Sequence, residues 1–298
     1  MRALFPADSI CSSVRRRTSS VNHLSVSIRR VFDALASVVF PAPCRICGQT
    51  LLRASRIPIC EACLEQFERV VSPMCACCGR PFPAAAHETV AIQICRLCRM
   101  NFYAFERARS FAMYNDTLSE AIVLLKYEEV TRLGDWFAAR LAEIVFQAPD
   151  GWRADVVVPV PLHAERRRER GYNQAKLIAR PLAKRLRLKL EPRLLVRTKP
   201  RPPQLVLSRR QHWDSVRGAY ATRPGLRVDN LRVLLVDDVL TTGATLDACA
   251  RALRKAGAAA VVGLTVGRVR SWQPVPAAVV SAAQLRSAVK PDRGRAHL

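Results

Sequence analysis

Acidic residues, lysines, histidines, aromatics and long apolar runs are all in short supply in this chain, and each shortage narrows what it can be. Only 24 acidic residues face 48 basic ones across 298 residues, a formal net charge of +24. That excess favours polyanionic partners, nucleic acid or phosphorylated small molecules. Its weight is reduced by the scarcity of lysine: arginine supplies 41 of the 48 basic residues, and a GC-rich genome produces such an Arg- and Ala-rich bias without selection for binding. No apolar run approaches the roughly 18 to 20 residues that a membrane-spanning helix needs, so the chain is read as soluble and cytoplasmic. With five histidines and no Ser/His/Asp nucleophilic set in evidence, chemistry here is expected to rest on positioning and electrostatics.

The length and a 50% hydrophobic content suffice for one good core and a smaller second module. Residues 1–24, rich in Arg and Ser and poor in acids, read as a disordered tail or an over-extended start, with a transit peptide as the weaker alternative. Ile28, Val31, Phe32, Leu35 and Val39 share one helical face, which predicts an amphipathic helix over Ser25 to Phe40. That helix and a cysteine-rich module fill 25–100, the main domain fills 101–270, and 271–298 reads as a flexible Ala-, Arg- and Pro-rich tail.

Cysteines gather in the smaller module as Cys44-Arg-Ile-Cys47 followed by Cys60-Glu-Ala-Cys63, and Cys75-Ala-Cys77-Cys78 followed by Cys95-Arg-Leu-Cys98. Each CxxC knuckle turns two thiolates to one side, and two knuckles complete a tetrahedral zinc site. Two structural zinc ions follow: Cys44, Cys47, Cys60 and Cys63 for the first, and Cys75, Cys78, Cys95 and Cys98 for the second, with Cys77 a competitor there. Disulfides fit the spacing poorly and nothing marks the chain as secreted; an iron–sulfur cluster is similarly disfavoured. Four thiolates leave no open position on the metal, so these sites stabilise rather than catalyse. Few apolar residues lie between Pro41 and Met100, so metal binding is expected to supply much of the folding free energy there. Cys249 reads as a small core residue.

The most informative stretch runs from Val233 to Leu246, Val-Leu-Leu-Val-Asp-Asp-Val-Leu-Thr-Thr-Gly-Ala-Thr-Leu. Arg232 to Val236 suits a buried parallel strand, and Leu246, Cys249, Ala250 and Leu253 recur at helical spacing up to Gly257. The turn between them, with the N–H groups and hydroxyls of Thr241, Thr242, Gly243, Ala244 and Thr245 at a helix N-terminus, can enclose a phosphate dianion. Asp237 and Asp238 fall where a ribose diol, or a magnesium ion bound to it, would lie. No Gly-Lys-Ser/Thr follows, which sets the turn apart from a P-loop. The block resembles the phosphoribosyl-diphosphate motif of type I phosphoribosyltransferases, where the two acids contact the ribose hydroxyls and the Thr-Thr-Gly-Ala-Thr loop takes the 5′-phosphate.

Upstream, Asp155 to Val158 reads as a second buried strand, stopped by the prolines of Pro159-Val160-Pro161-Leu162-His163. Arg166, Arg167, Arg168 and Arg170 follow, then Gly171-Tyr172-Asn173-Gln174 and a helix with Ala175, Ile178, Leu182 and Leu186 inward, in which Pro181 predicts a kink or a broken turn. From Arg166 to Arg217 there are 17 basic residues against three acids, a concentration beside the phosphate turn. Arg197 to Arg217, basic and Pro-rich, reads as an unusually long loop.

The cysteine knuckles, Leu125-Lys126-Tyr127, Val158-Pro159-Val160-Pro161-Leu162, Arg170-Gly171-Tyr172-Asn173-Gln174 and the Asp-Asp-Val-Leu-Thr-Thr-Gly-Ala-Thr block together resemble, in this order, the ComF family. The resemblance spans roughly Phe40 to Arg268. It implies a double zinc ribbon before a type I phosphoribosyltransferase-like domain, phosphoribosyl diphosphate bound with magnesium, and a link to competence and DNA uptake. It further implies that Pro159, Val160, Pro161, Leu162 and His163 form the pyrophosphate loop, that Lys126, Arg166, Arg170, Asn173 and Gln174 supply flap or phosphate contacts, and that Arg197 to Tyr220 is a mobile flap. This chain departs from the family's flap pattern by having Gln211-His212 and Ser215 before Val216-Arg217-Gly218-Ala219-Tyr220.

The expected fold is therefore α/β: a mainly parallel sheet flanked by helices, its ligand at the carboxyl ends of the strands. Asp155 to Val158, Arg232 to Val236 and Ala259 to Val266 should be central strands. A strand near Ala108 to Tyr114 and helices over Leu118 to Tyr127 and Leu133 to Phe146 should join sheet to zinc module. Two functions stand open: phosphoribosyl transfer from the magnesium-bound diphosphate, or non-catalytic handling of single-stranded DNA, alongside DNA-uptake or recombination proteins, on the same phosphate-binding platform. With only Tyr172, Trp213 and Tyr220 near the basic strip, stacking on DNA bases would be modest and phosphate contacts dominant.

Overall fold

A computed structural model describes residues 42–51, 57–82, 93–148, 152–200 and 208–270. The helix expected over Ser25 to Phe40 and both tails lie outside the described residues. Five strands form one parallel sheet: β1 (Arg107–Met113), β2 (Val156–Pro159), β3 (Lys189–Leu190), β6 (Arg232–Leu240) and β7 (Ala260–Arg268), in the order β1-β7-β6-β2-β3. Two further strands, β4 (Leu195–Arg197) and β5 (Tyr220–Thr222), pair antiparallel outside it. The helices are α1 (Glu61–Glu65), α2 (Arg96–Arg99), α3 (Asp116–Tyr127), α4 (Arg132–Phe146), α5 (Ala164–Arg170), α6 (Gln174–Leu186), α7 (Arg209–Val216) and α8 (Ala244–Lys255).

Strand β6 reads as a continuous apolar run because both of its faces are covered. Alternation divides it: Leu234 and Val236 join a core with α3, α4 and α6, while Val233 and Leu235 face a second core with α8, Leu240 and the buried Cys75 and Cys78. Each fully buried leucine in these layers contributes about 1.5–3 kcal/mol. The chain leaves β2 through α6 toward β3 and leaves β6 through α8 toward β7, on opposite sides of the β2–β6 pair. Strand order thus reverses between β2 and β6, and the crevice beyond their carboxyl ends is where α/β sheets bind ligands.

Four expectations need correction. β6 does not end at Val236 but continues to Leu240, with Asp237 opposite Thr265 and Val239 opposite Gly267; the acids are strand residues, because β7 is long enough to keep pairing with them. The broken turn expected at Pro181 does not occur, and α6 runs unbroken through it. The carbonyl of Leu177, which the proline leaves without its helical donor, abuts Gly134 of α4, where a Cβ would lie only 2.8 Å from that oxygen. The segment from Arg197 onward is more than a loop: it contains α7 and β5, and α7 begins with a capping box in which Ser208 Oγ accepts from Gln211 N at 3.2 Å and Gln211 Oε1 accepts from Ser208 N at 2.7 Å. Residues 201–207 lie outside the described residues. Finally, the cysteine module is not poor in packing, since Ile57, Ile59 and Phe67 are buried in the main core and the Phe67 ring lies 5.7 Å from that of Trp136.

Pro159 does not interrupt β2. It pairs with Val236 as the last strand residue, and its missing N–H would face the side that β3 covers only opposite Val156 and Val157.

Candidate functional site

The acids at the end of β6 are both buried and turn to different faces. On the α3/α6 side, Asp238 forms an ion pair with Lys126 Nζ through Oδ2, and Gln174 Nε2 donates to the same oxygen at 3.5 Å. Burial alone would push the Asp238 carboxyl up, but the Lys126 ammonium outweighs it and holds the group below the usual carboxylate range. Burial likewise works against the Lys126 charge, and Asp238 outweighs that too, keeping the ammonium above its usual range. Asp237 lies on the side of Thr245, Leu246 and Thr265 and accepts from Asp238 N at 2.9 Å. Burial first, and then the charge of Asp238, push its carboxyl well above the ordinary value.

Beyond the acids, residues 241–243 turn into α8, whose N-cap is Gly243 at φ +84°. Ala244 N donates to Thr242 Oγ1 at 3.2 Å. Among the described residues, the N–H groups of Thr241, Thr242, Gly243 and Thr245 have no protein acceptor, so the start of α8 offers converging donors and the positive end of its dipole. The depression beside them is lined by Asp237, Val239, Leu240, Thr241, Gly243, Thr245, Leu246 and Thr265. From α7, His212 Nδ1 lies 3.0 Å from Thr242 Oγ1, and Ser215 Oγ donates to the His212 carbonyl at 2.8 Å. The two residues that depart from the family pattern thus shape the contact between α7 and the turn that opens α8.

A methyl group at Gly243 would meet Tyr103 Cε1 at 2.8 Å in a backbone conformation that L-residues avoid. Gly243→Ala is therefore expected to destabilise the domain by about 1–3 kcal/mol, read as a lowered denaturant midpoint with an unchanged slope.

The remaining predicted contacts scatter. Val160 N donates to Val236 O at 2.9 Å, extending the β2–β6 pairing, and Pro161 and Leu162 lead to His163, the N-cap residue of α5. His163 Nδ1 is buried with no hydrogen-bond partner among the described residues. Asn173 is occupied structurally: its Oδ1 accepts from Ala175 N at 2.9 Å and its Nδ2 donates to Val160 O at 3.0 Å, so it fastens the β2 loop to the start of α6. Arg170 donates to Gln174 Oε1 at 2.6 Å and stacks 4.6 Å over the Tyr127 ring. Arg166 lies half-buried on α5, a helix the sequence reading did not anticipate.

Two sets of four sulfurs come together, Cys44, Cys47, Cys60, Cys63 and Cys75, Cys78, Cys95, Cys98, the atoms of each set within 4.8 Å of one another. Zinc–sulfur bonds of about 2.3 Å in a tetrahedron require sulfurs about 3.8 Å apart. The observed pairs fit: Cys44–Cys63 at 3.9 Å, Cys47–Cys60 at 3.6 Å and Cys78–Cys95 at 3.7 Å. Backbone N–H groups of Cys60 and Cys95 donate to Cys44 and Cys75 Sγ, each at 3.3 Å, supporting thiolate charge. Cys77 stands outside the second set; its carbonyl accepts from Ala108 N at 2.8 Å and from Arg109 Nη1 at 3.1 Å.

Several residues of the site escaped the sequence reading. Asp247 accepts from Ala104 N at 2.7 Å and pairs with Arg251, and Tyr103 bonds Thr242; at the ends of the segment expected as a flap, Arg197 donates to Tyr220 OH at 3.1 Å with its Nη2 buried and unpartnered among the described residues. Position Asp247, an acid in the first turn of α8, was the one readable signal.

A parallel sheet with this acid pair and the turn after it, preceded by paired cysteine knuckles, defines a phosphoribosyltransferase-type domain with a double zinc ribbon before it. Residues 35–101 match the double zinc ribbon domain family and residues 137–272 the phosphoribosyl transferase domain family. The DNA utilization protein YhgH of Salmonella typhimurium is 31% identical over 224 residues, 74% of this chain and 94% of that protein. Competence protein ComFC of Bacillus subtilis is 28% identical over 216 residues, 68% and 81% of the two chains, and competence protein F of Haemophilus influenzae 28% over 214 residues, 69% and 88%. The chain belongs to the ComF family. None of the helices among the described residues is long and apolar enough to cross a membrane.

Proposed function

We propose that this protein binds phosphoribosyl diphosphate with magnesium in the crevice beyond β2 and β6, and acts in the cytoplasm as a phosphoribosyltransferase serving DNA uptake or utilisation. The observation that carries this reading is that, among the described residues, the N–H groups of Thr241, Thr242, Gly243 and Thr245 have no backbone acceptor at the start of α8, shortly after two buried acids. The 5′-phosphate would take those donors. Asp237 and Asp238 would hold the ribose diol and its magnesium, and Pro159 to His163 with the arginines of α5 would face the diphosphate. Magnesium, when bound there, would supply charge neutralisation to the diphosphate. The protein's own part is to hold the sugar while positive charge develops at its anomeric carbon, keeping carboxylates and backbone dipoles fixed around it.

Calorimetry tests this directly. Magnesium-dependent binding of phosphoribosyl diphosphate is expected for the parent protein and is expected to vanish in the Asp237→Ala, Asp238→Ala double variant; equal affinity in both would overturn the reading. Release of pyrophosphate, screened with nucleobases, amines and single-stranded DNA as acceptors, then identifies the substrate.

A second reading has its own support. Helices α5 and α6 expose Arg167, Arg168, Lys176, Arg180 and Lys184, a strip suited to nucleic-acid phosphates, and the Salmonella relative is named for DNA utilisation. In that reading, single-stranded DNA binding falls steeply with salt, disappears on Arg166, Arg167 and Arg168→Ala, and survives loss of the acids.

A further inference from the structure

Tyr103 lies outside every motif and every cysteine set, yet it stands between the second sulfur cluster and the phosphate turn. Its hydroxyl donates to the Thr242 carbonyl at 3.1 Å, and its ring edge lies against Gly243. The ring stacks on Phe105 with centroids 4.7 Å apart and lies 6.2 Å from Trp213 of α7. The next residue, Ala104, donates its N–H to Asp247 in the first turn of α8 at 2.7 Å. Two adjacent residues therefore hold the turn at its carbonyl, at its glycine and at the helix that follows.

The other end of this strut is the second knuckle. Cys98 sits in α2, and the chain leaves it through two tight bonds, Asn101 N to Cys98 O at 3.0 Å and Phe102 N to Leu97 O at 3.1 Å. The knuckle is seated on the sheet by two largely buried arginines. Arg268, at the end of β7, donates to Cys78 O at 2.6 Å and reaches Cys78 Sγ at 3.7 Å. Arg109 of β1 donates to Cys77 O at 3.1 Å and Ala76 O at 2.8 Å. Four thiolates around one zinc ion carry a net negative charge, which these guanidinium groups are placed to balance.

Peptide geometry makes the Tyr103 bond consequential. In a trans peptide the carbonyl and the following N–H point in opposite directions. Holding Thr242 O toward Tyr103 turns the N–H of Gly243 away from it, toward the side where an anion would sit. We propose that Tyr103 is a positioning residue for the phosphate turn, anchored by the second cysteine centre, so that the zinc ribbon sets how strongly the turn binds a phosphate group. This rests on the phosphate reading above for its ligand, but its effect on the turn is independent of any ligand.

The test uses the full chain. Hydrogen exchange over residues 241–246 is followed without ligand, zinc is counted by release, and ribose 5-phosphate is the binding probe. Tyr103→Phe, which loses one hydrogen bond, is expected to quicken exchange about fivefold, and Tyr103→Ala by about tenfold or more, with exchange over α4 unchanged and two zinc ions kept. Ribose 5-phosphate affinity should fall by similar factors. Cys95→Ser, keeping only the first zinc, should reproduce the quickened turn. Unchanged exchange in Tyr103→Phe and Cys95→Ser overturns the inference, as does an acceleration in Tyr103→Phe that is spread equally over α4. If Tyr103→Ala loses zinc, Tyr103→Phe decides by the same criterion. A parent protein that fails to bind ribose 5-phosphate overturns the phosphate reading, and the exchange rates still decide whether Tyr103 positions the turn.

Discussion

Asp237→Asn is expected to melt higher than the parent at neutral pH while losing magnesium phosphoribosyl diphosphate binding by about 100-fold. The two effects share one cause. Burial, and then the neighbouring charge of Asp238, raise the Asp237 carboxyl well above its ordinary value. The folded state therefore binds more protons than the unfolded one at pH values above about 4, where a free carboxyl ionises. Stability contributed by the protonated form is present below that pH and is lost as pH rises through the raised folded value. Asparagine removes this loss and its Oδ1 can still accept from Asp238 N, the bond seen at 2.9 Å. A gain of about 1 kcal/mol corresponds to about 2–4 °C in Tm for a chain of this size. In the parent, ligand and magnesium would favour the ionised form, so binding should release a proton and strengthen as pH rises through the raised folded value. Scanning calorimetry paired with titration in buffers of different ionisation enthalpy measures both. A variant that melts lower, or binds as before, would contradict the role given to this acid.

Loss of the second zinc site should cost more than loss of the first. Cys44→Ser and Cys78→Ser are each expected to leave one zinc ion per chain instead of two, as read by metal release. The knuckle around Cys44 and Cys63 rests against Ile57, Ile59 and Phe67, all buried in the main core, and its nearby ion pair, Arg45 with Glu128, lies largely at the surface. Apolar packing persists when the metal leaves. Around Cys78 the neighbours are the guanidinium groups of Arg268 and Arg109, for which burial already disfavours the charged form. Removing the thiolate cluster's charge leaves them uncompensated, a situation that costs about 3–5 kcal/mol for a buried ion. Cys78→Ser should therefore lower the Tm of the whole domain well below that of Cys44→Ser; equal Tm values would dismiss the charge-balance account.

Much of this architecture could be read from the chain because its signals are local. Apolar β-branched runs gave β2, β6 and β7 within a few residues, and the CxxC pairs stood out by spacing alone. What escaped depends on distant neighbours. Asp237 and Asp238 look like the opening of a turn, and only the length of β7 keeps them paired as strand residues. Pro181 looks like a break, and only Gly134 on another helix makes room for the carbonyl that it frees. Asn173 bonds the β2 loop through its amide, a partner 13 positions away that its local sequence does not announce. Tyr103 meets Thr242 across 139 positions of sequence, which no local pattern foreshadows.

The opposed orientation of the two acids on β6 carries a further consequence. Asp238 answers to Lys126 and Gln174 on one face, whereas Asp237 lies near Tyr220 and Cys249 on the other, where burial pushes both groups up and Asp237 adds to it. The two faces are nonetheless joined, because the charge of Asp238 helps to raise Asp237. Exchanging Lys126 for a neutral residue would thus be felt across the sheet, as a change in how firmly Asp237 keeps its proton.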